Sequence, residues 1–275
     1  MGGLCGKKYP VAGRFFDVHK HVLLIGVLTQ LKQKLPKLHF IDAHAGAGIY
    51  EFPKTDGAEG VHVNIDALLN ANRNELTDQY IEIVRSCNNS LPLSNYPGSP
   101  VIAQKLLGPL DSISLIELNL DDCSKLSGLF ETSSQISVEH GSAFDRVLKR
   151  LPEGKEGGAV LIDPDYIIAE DLTDTANLVI QCRNKWNAAV IMVSLPASDR
   201  YIISLLKDSG VKNMYLSDFE FVDESRSDQQ VLLNKSRILL INPQFEIIET
   251  LESALSQLAA SLPGSVKAKS NIKAI

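Results

Sequence analysis

The feature that most constrains this chain is an alternation of short apolar runs with longer stretches of helical spacing. Residues 38–42, 113–117, 136–139, 159–163, 188–194, 214–221 and 238–241 are strand-length and apolar with little interruption. Between them, 17–35, 100–107, 119–131, 142–150, 170–185 and 199–209 carry helical patterns. In the first, Asp17 is the expected N-cap, Leu24, Leu28, Leu31 and Leu35 share one face, and Pro36 closes the helix. Strands apolar on both faces and joined by helices predict a parallel sheet covered on both sides. The last two runs are separated only by the polar segment 223–235, which predicts an antiparallel pair at one edge. No element is assigned after residue 241.

Three segments carry candidate chemistry. The run 38–42 leads into His44-Ala45-Gly46-Ala47-Gly48, where glycines let a ligand approach the backbone closely. A pyrophosphate-gripping loop would have a third glycine at position 51, and Glu51 stands there, so a nicotinamide dehydrogenase is disfavoured. Glu117 closes the next long apolar run, where a carboxylate can accept both hydroxyls of a ribose. It lies 69 residues beyond Gly48, far more than the roughly 20 of a plain mononucleotide-binding half. The excess, residues 53–95 with helical patterns at 66–72 and 78–87, is expected to form a small helical insertion within a single domain spanning 1–275. The third segment, Asp163-Pro164-Asp165-Tyr166, follows the apolar run 159–162. It resembles the D-P-P-Y motif of amino-methyltransferases. The lone pair of an adenine N6 is delocalised into the ring, so the nitrogen needs hydrogen-bond acceptors that favour a pyramidal geometry. It also needs an aromatic ring to fix the base plane. Asp163 is the candidate acceptor and Tyr166 the candidate stacking ring. Asp165 replaces the second proline, which removes a backbone restraint and adds a charge.

Taken in order, these segments resemble the RlmJ family of bacterial 23S ribosomal RNA adenine-N6-methyltransferases. The resemblance runs through Asp17-Val18-His19-Lys20-His21, the segment from Asp42 to Tyr50, Tyr96-Pro97-Gly98-Ser99-Pro100, Ile116-Glu117-Leu118, Asp163-Pro164 with Tyr166, and Leu240-Ile241-Asn242-Pro243. It implies an α/β, class I S-adenosylmethionine-dependent methyltransferase fold, a Rossmann-like seven-stranded sheet with its last strand antiparallel. It also implies S-adenosylmethionine as cofactor and 23S ribosomal RNA as partner. By similarity, His21, His44, Gly46, Ser99, Glu117 and Asp163 line the cofactor pocket, with Ser142 and Ala143 at the cofactor's adenine. Asp163 and Tyr166 are catalytic, and Lys20 and Tyr9 face the RNA. Two further departures stand out. The family carries an acid where this chain has Ser142, and its H-A-G-N-H segment is shortened here to Val11-Ala12-Gly13-Arg14-Phe15-Phe16.

Composition limits the alternatives. The four cysteines, Cys5, Cys87, Cys123 and Cys182, are scattered without clustered histidines, so neither a metal site nor a disulfide framework is expected. No apolar stretch reaches membrane-spanning length, and a cytoplasmic monomer is expected. The net charge is −6, yet residues 1–37 hold seven Lys/Arg against one acid, Asp17. That basic segment is the expected phosphate-binding element. The competing reading, motivated by Ser142 and Asp165, is a catalytically degenerate methyltransferase fold that binds RNA or S-adenosylmethionine without turnover.

Overall fold

The computed structural model of the protein describes residues 13, 15–51, 74–90, 93–153, 156–223, 234–262 and 266–275. Its centre is the strand β6 (Gly158–Ile162), every residue of which is buried. On one side β6 pairs in parallel with β1 (His39–Asp42), which pairs with β4 (Ser112–Glu117), which pairs with β5 (Ile136–His140). On the other side comes β7 (Ala189–Leu195), also parallel. Four strands buried on both faces explain why the sequence shows continuous apolar runs there rather than strict alternation.

Beyond β7 the sheet becomes antiparallel. The strand β9 (Asn234–Ile241) lies between β7 and β8 (Met214–Asp223) and runs opposite to both. The expected antiparallel pair therefore exists, but it does not form the edge of the sheet, and its later strand is the inner one. The edge belongs to an eighth strand, β10 (Val266–Ala274), antiparallel to β8. The full order is β10-β8-β9-β7-β6-β1-β4-β5. A separate two-stranded sheet joins β2 (Ile49–Glu51) to β3 (Asn95–Pro97). It pinches together the two ends of the long excursion after the glycine loop. Within that excursion α2 (Glu75–Ser86) opens with a capping box at Asn74 and Thr77, while the pattern at 66–72 lies outside the described residues.

Helix α1 (Phe15–Lys34) departs from its sequence reading in two ways. It begins before Asp17, so that residue sits in the first turn and its carboxylate accepts the Gly13 N–H at 2.9 Å. It is also not amphipathic. Leu23, Ile25 and Val27 are as buried as Leu24 and Leu28, because α1 packs on the sheet, on α2, on α3 (Ser99–Leu106) and on α8 (Phe245–Ala260). A helix enclosed by neighbours tolerates apolar residues all round. The opposite face of the sheet is covered by α5 (Ala143–Arg150), α6 (Glu170–Lys185) and α7 (Tyr201–Asp208), and α4 (Leu120–Leu129) packs beside β4 and β5.

The chain runs from β1 outward through β4 and β5, then returns to β6 and continues the other way. Loops leaving β1 and β6 therefore diverge to opposite faces, which opens a crevice at the carboxyl ends of the strands. Among the described residues, no helix is long and apolar enough to cross a membrane.

Candidate active site at the carboxyl edge

A cavity of about 730 Å³ occupies that crevice. His44, Ala45 and Gly46 reach it from the end of β1, Glu117 from β4, and Asp163 from β6. Lys20 and His21 enter from the first turns of α1, and Ser99 from the start of α3. Lys20 and Asp163, 143 positions apart in sequence, thus meet because three parallel strands end side by side and the first turns of α1 lie over their ends.

The glycine loop is fixed by its own backbone. Gly46 and Gly48 have φ of +63° and +79°, a region L side chains rarely adopt. At Gly46 an added Cβ would also lie 1.9 Å from the Tyr50 hydroxyl. The Gly46 N–H donates to Glu117 Oε2 at 2.7 Å, and the Asn119 N–H donates to Oε1 at 2.7 Å. The carboxylate is oriented by these two bonds.

Asp163 lies at the other end of the cavity. Lys20 Nζ donates to its Oδ2 at 2.5 Å and to Asp17 Oδ1 at 3.2 Å. Burial disfavours the charged form of Asp163, but the Lys20 charge and hydrogen bond outweigh it and hold the carboxyl below its usual range. The Asp163 N–H donates to His44 Nδ1 at 3.3 Å, so His44 is neutral with its proton on Nε2. Burial accordingly lowers its pKa, and does so strongly for His21. His21 Nδ1 lies 2.8 Å from the Tyr96 hydroxyl, which lies 3.1 Å from that of Tyr80, and the His21 and Tyr96 rings stack. Behind the loop, Asp42 is fully buried and its Oδ2 has no hydrogen-bond partner. Burial pushes its pKa up to about 6, and Ser99 and the His44 amide draw it back only part of the way.

Of the residues singled out from sequence, Lys20, His21, His44, Gly46, Ser99, Glu117 and Asp163 line the cavity together. Tyr166 does not line it. It follows at φ +50°, packs partly against the core and donates its hydroxyl proton to the Ser194 carbonyl at 2.7 Å. A left-handed tyrosine in this loop is a strained conformation, of the kind that concentrates at functional sites. Ser142 caps α5 without a side-chain bond and Ala143 is buried; neither lines the cavity, although the next residue, Phe144, does. Tyr9 lies outside the described residues. The sequence reading assigned no site role to Asp17, Asp42, Tyr50 or Phe144. The first two sit inside motifs it quoted, but only packing shows that Asp17 holds Lys20 and that Asp42 is sealed under the loop.

The basic N-terminal segment does not gather at the cavity. Among its described cations only Lys20 reaches it, and that charge is shared by Asp163 and Asp17. Lys32, Lys34 and Lys37 pair with Asp111, Glu246 and Glu156 at the other end of the sheet. The cavity itself is acidic, with Asp17, Glu117, Asp122, Asp163, Asp165 and Asp171 in its lining.

The strand order, the glycine loop after β1, the acid ending β4 and the Asp-Pro turn after β6 together define a class I methyltransferase. A family model described as "Ribosomal RNA large subunit methyltransferase D, RlmJ" matches residues 36–272, and the chain belongs to that family. It is 27% identical over 259 residues to the Escherichia coli (strain K12) protein named ribosomal RNA large subunit methyltransferase J, covering 91% of each chain. The Haemophilus influenzae protein of the same name is 24% identical over 259 residues, also covering 91% of each. A Legionella pneumophila crystal structure superposes with a TM-score of 0.81 at 23% identity, covering 96% of this chain and 98% of that one.

Proposed function

We propose that this chain transfers a methyl group from S-adenosylmethionine to the exocyclic N6 of an adenine in 23S ribosomal RNA. The observation that carries the reading is the placement of Asp163 beside His44 and Lys20, in the same cavity that Glu117 closes at its far end. Family membership supplies the methyl transfer to ribosomal RNA; the chemistry of the cavity argues for the rest.

The residues present suit the cofactor. An acidic lining with one neutralised lysine favours a ligand of net positive charge over a pyrophosphate. Glu117 would hold the ribose diol, the exposed Leu118 and the buried-edge Phe144 would flank the adenine, and His21, His44 and Ser99 would border the amino-acid end. Bound there, S-adenosylmethionine supplies an electrophilic methyl group on a sulfonium.

Asp163 is then an acceptor rather than a strong base. Its carboxyl is held ionised, so it draws hydrogen bonds from the target amino group without first removing a proton. An attached methyl makes that nitrogen cationic and strongly acidic, and a weak base suffices to take the proton afterwards. The Pro164 carbonyl is the second candidate acceptor, fixed by the turn. Lys20 holds one Asp163 oxygen and leaves the other for the base. The adenine must leave its stack to reach the cavity, and Tyr166, which does not line it, would hold the Asp-Pro turn through Ser194 in this conformation rather than stack on the base. We place the enzyme in the cytoplasm as a metal-free monomer, with residues 53–95 as an insertion beside the cofactor.

Mass spectrometry of nucleosides from protein-free 23S ribosomal RNA, incubated with the protein and labelled cofactor, tests the reading. Labelled N6-methyladenosine is expected, and far less in the same time with Asp163→Ala. Label on another base, or undiminished N6-methyladenosine with that variant, contradicts it.

A further inference from the structure

Among the described residues the acidic cavity mouth holds one lysine, already tied to two carboxylates, so RNA phosphates call for another basic surface. We propose that the edge strand β10 is a phosphate-binding rail for the RNA flanking the target adenine, an inference that rests on the function proposed above.

Lys267, Lys269, Asn271 and Lys273 alternate along β10, and all four side chains are exposed. The residues between them, including the buried Ile272, face the core. The strand carries no acid. Its register places Lys269 opposite Glu220 and Asn271 opposite Asp218, on the same face. Those two acids are already engaged from the far side of β8. Lys235 Nζ lies 2.7 Å from Glu220 and 3.1 Å from Asp218, and Arg237 grips both Asp218 oxygens at 2.7 and 3.1 Å. Lys269 and Lys273 have no ion-pair partner among the described residues. Lys269 and Lys273 therefore keep their charge, unlike Lys32, Lys34 and Lys37.

Its direction matters equally. β10 is antiparallel to β8, so its Lys267 end lies at the carboxyl edge, level with the cavity. Arg237 continues the line inward, donating to the Asp199 carbonyl on the loop after β7. From β10 to β6 there are four strand spacings, roughly 20 Å, and the row itself extends roughly 20 Å along β10. An RNA chain with its adenine in the cavity would reach this face with its backbone. Phosphates attract such a row without reading sequence, which suits a positioning surface. Lysines on an edge strand also discourage pairing between sheets, so oligomeric state belongs in the test.

The experiment compares wild type, a Lys267→Gln/Lys269→Gln/Lys273→Gln variant and a Lys34→Gln/Lys37→Gln control from the opposite end of the sheet. Affinity for protein-free 23S ribosomal RNA is titrated against salt, with cofactor affinity, methylation and sedimentation measured in parallel. The triple variant is expected to bind RNA more weakly and to lose about 2–3 from the slope of log Kd against log salt. Its KM for RNA rises while kcat and cofactor affinity stay the same, and the control matches wild type. An unchanged slope overturns the proposal, as does an equal loss in the control. Self-association of the triple variant with unaltered RNA affinity assigns the row to edge protection instead and also overturns it. If wild type binds RNA through this row yet methylates nothing, the rail stands and the function above falls. If wild type does not bind the RNA, both fall.

Discussion

The same parallel strands end differently at their two edges. At the amino edge, polar groups are matched almost one for one. Asp111, 3% exposed, accepts from the Leu38 and Gly108 N–H groups at 2.8 and 2.7 Å and from Lys32 at 2.8 Å. Glu156 takes His39 and Lys37, and its carbonyl takes the Trp186 N–H at 2.6 Å. At the carboxyl edge the matching is deliberately incomplete: Asp42 keeps a buried oxygen without a partner, and Asp163 shares one lysine with Asp17. One edge is built to stay as it is, and the other to be completed by something that binds.

Substitutions should therefore divide by edge. The largest effect belongs to Asp111→Ala, which strands a lysine and two backbone donors and is expected to cost about 3–5 kcal/mol in denaturant unfolding. The molecules that remain folded should methylate normally; reduced activity per folded molecule would blur the division. At the other edge, Asp163→Ala should leave the melting temperature within a few degrees of wild type while lowering kcat ~10²–10³-fold. Asp42→Asn comes next. The buried carboxyl titrates near 6 rather than 3.8, so the folded state holds that proton more tightly than the unfolded one. Stability from this residue is greatest at acid pH, falls as pH rises from about 4 to 6, and stays lower above. The asparagine variant should lack that fall and gain up to about 3 kcal/mol at pH 7. A stability–pH curve identical to wild type would remove the strain assigned to this edge.

Smaller effects sharpen the roles of two cavity neighbours. Lys20→Met removes the charge that keeps Asp163 ionised, so the acid limb of the methylation rate should move to higher pH and activity should recover at alkaline pH. Ser142→Asp restores the acid carried by the family and should tighten cofactor binding by about 1 kcal/mol in calorimetry. A weaker-binding Ser142→Asp would mean that the α5 cap has been reshaped around serine.

The two edges also differ in how well the sequence foretold them. The parallel half was readable because strands buried on both faces must be apolar without interruption, and because loops after them carry ligands. Seven of the residues named for the cavity do meet there. Charge placement was not readable. A basic N-terminal count cannot show that Lys32, Lys34 and Lys37 lie away from the site, since α1 runs the length of the sheet and delivers its last turn and the segment after it to the other edge. The eighth strand was missed because β10 alternates lysine and asparagine with small or apolar residues, a pattern too polar to stand out at an edge. Helix α8 was missed although Ile247, Ile248, Leu251, Leu255 and Leu258 are spaced for one buried face, so that signal was present and unused. Asp42 illustrates the limit from the other side. Its place in the glycine motif was evident, but its elevated pKa comes from complete enclosure, which only packing provides and which the Ser99 and His44 contacts offset only in part.

The most direct test of the difference between edges is a crystal structure of the protein with S-adenosylhomocysteine. A second cavity of about 470 Å³, bordered by Asn213, Tyr215, Asn242 and Phe245, lies at the amino edge and serves as the internal comparison. The account predicts the ligand at the carboxyl edge, its ribose hydroxyls on Glu117 and its sulfur directed toward Asp163. A ligand seated at the amino edge, or at the carboxyl edge with Asp163 turned away from the sulfur, would contradict it.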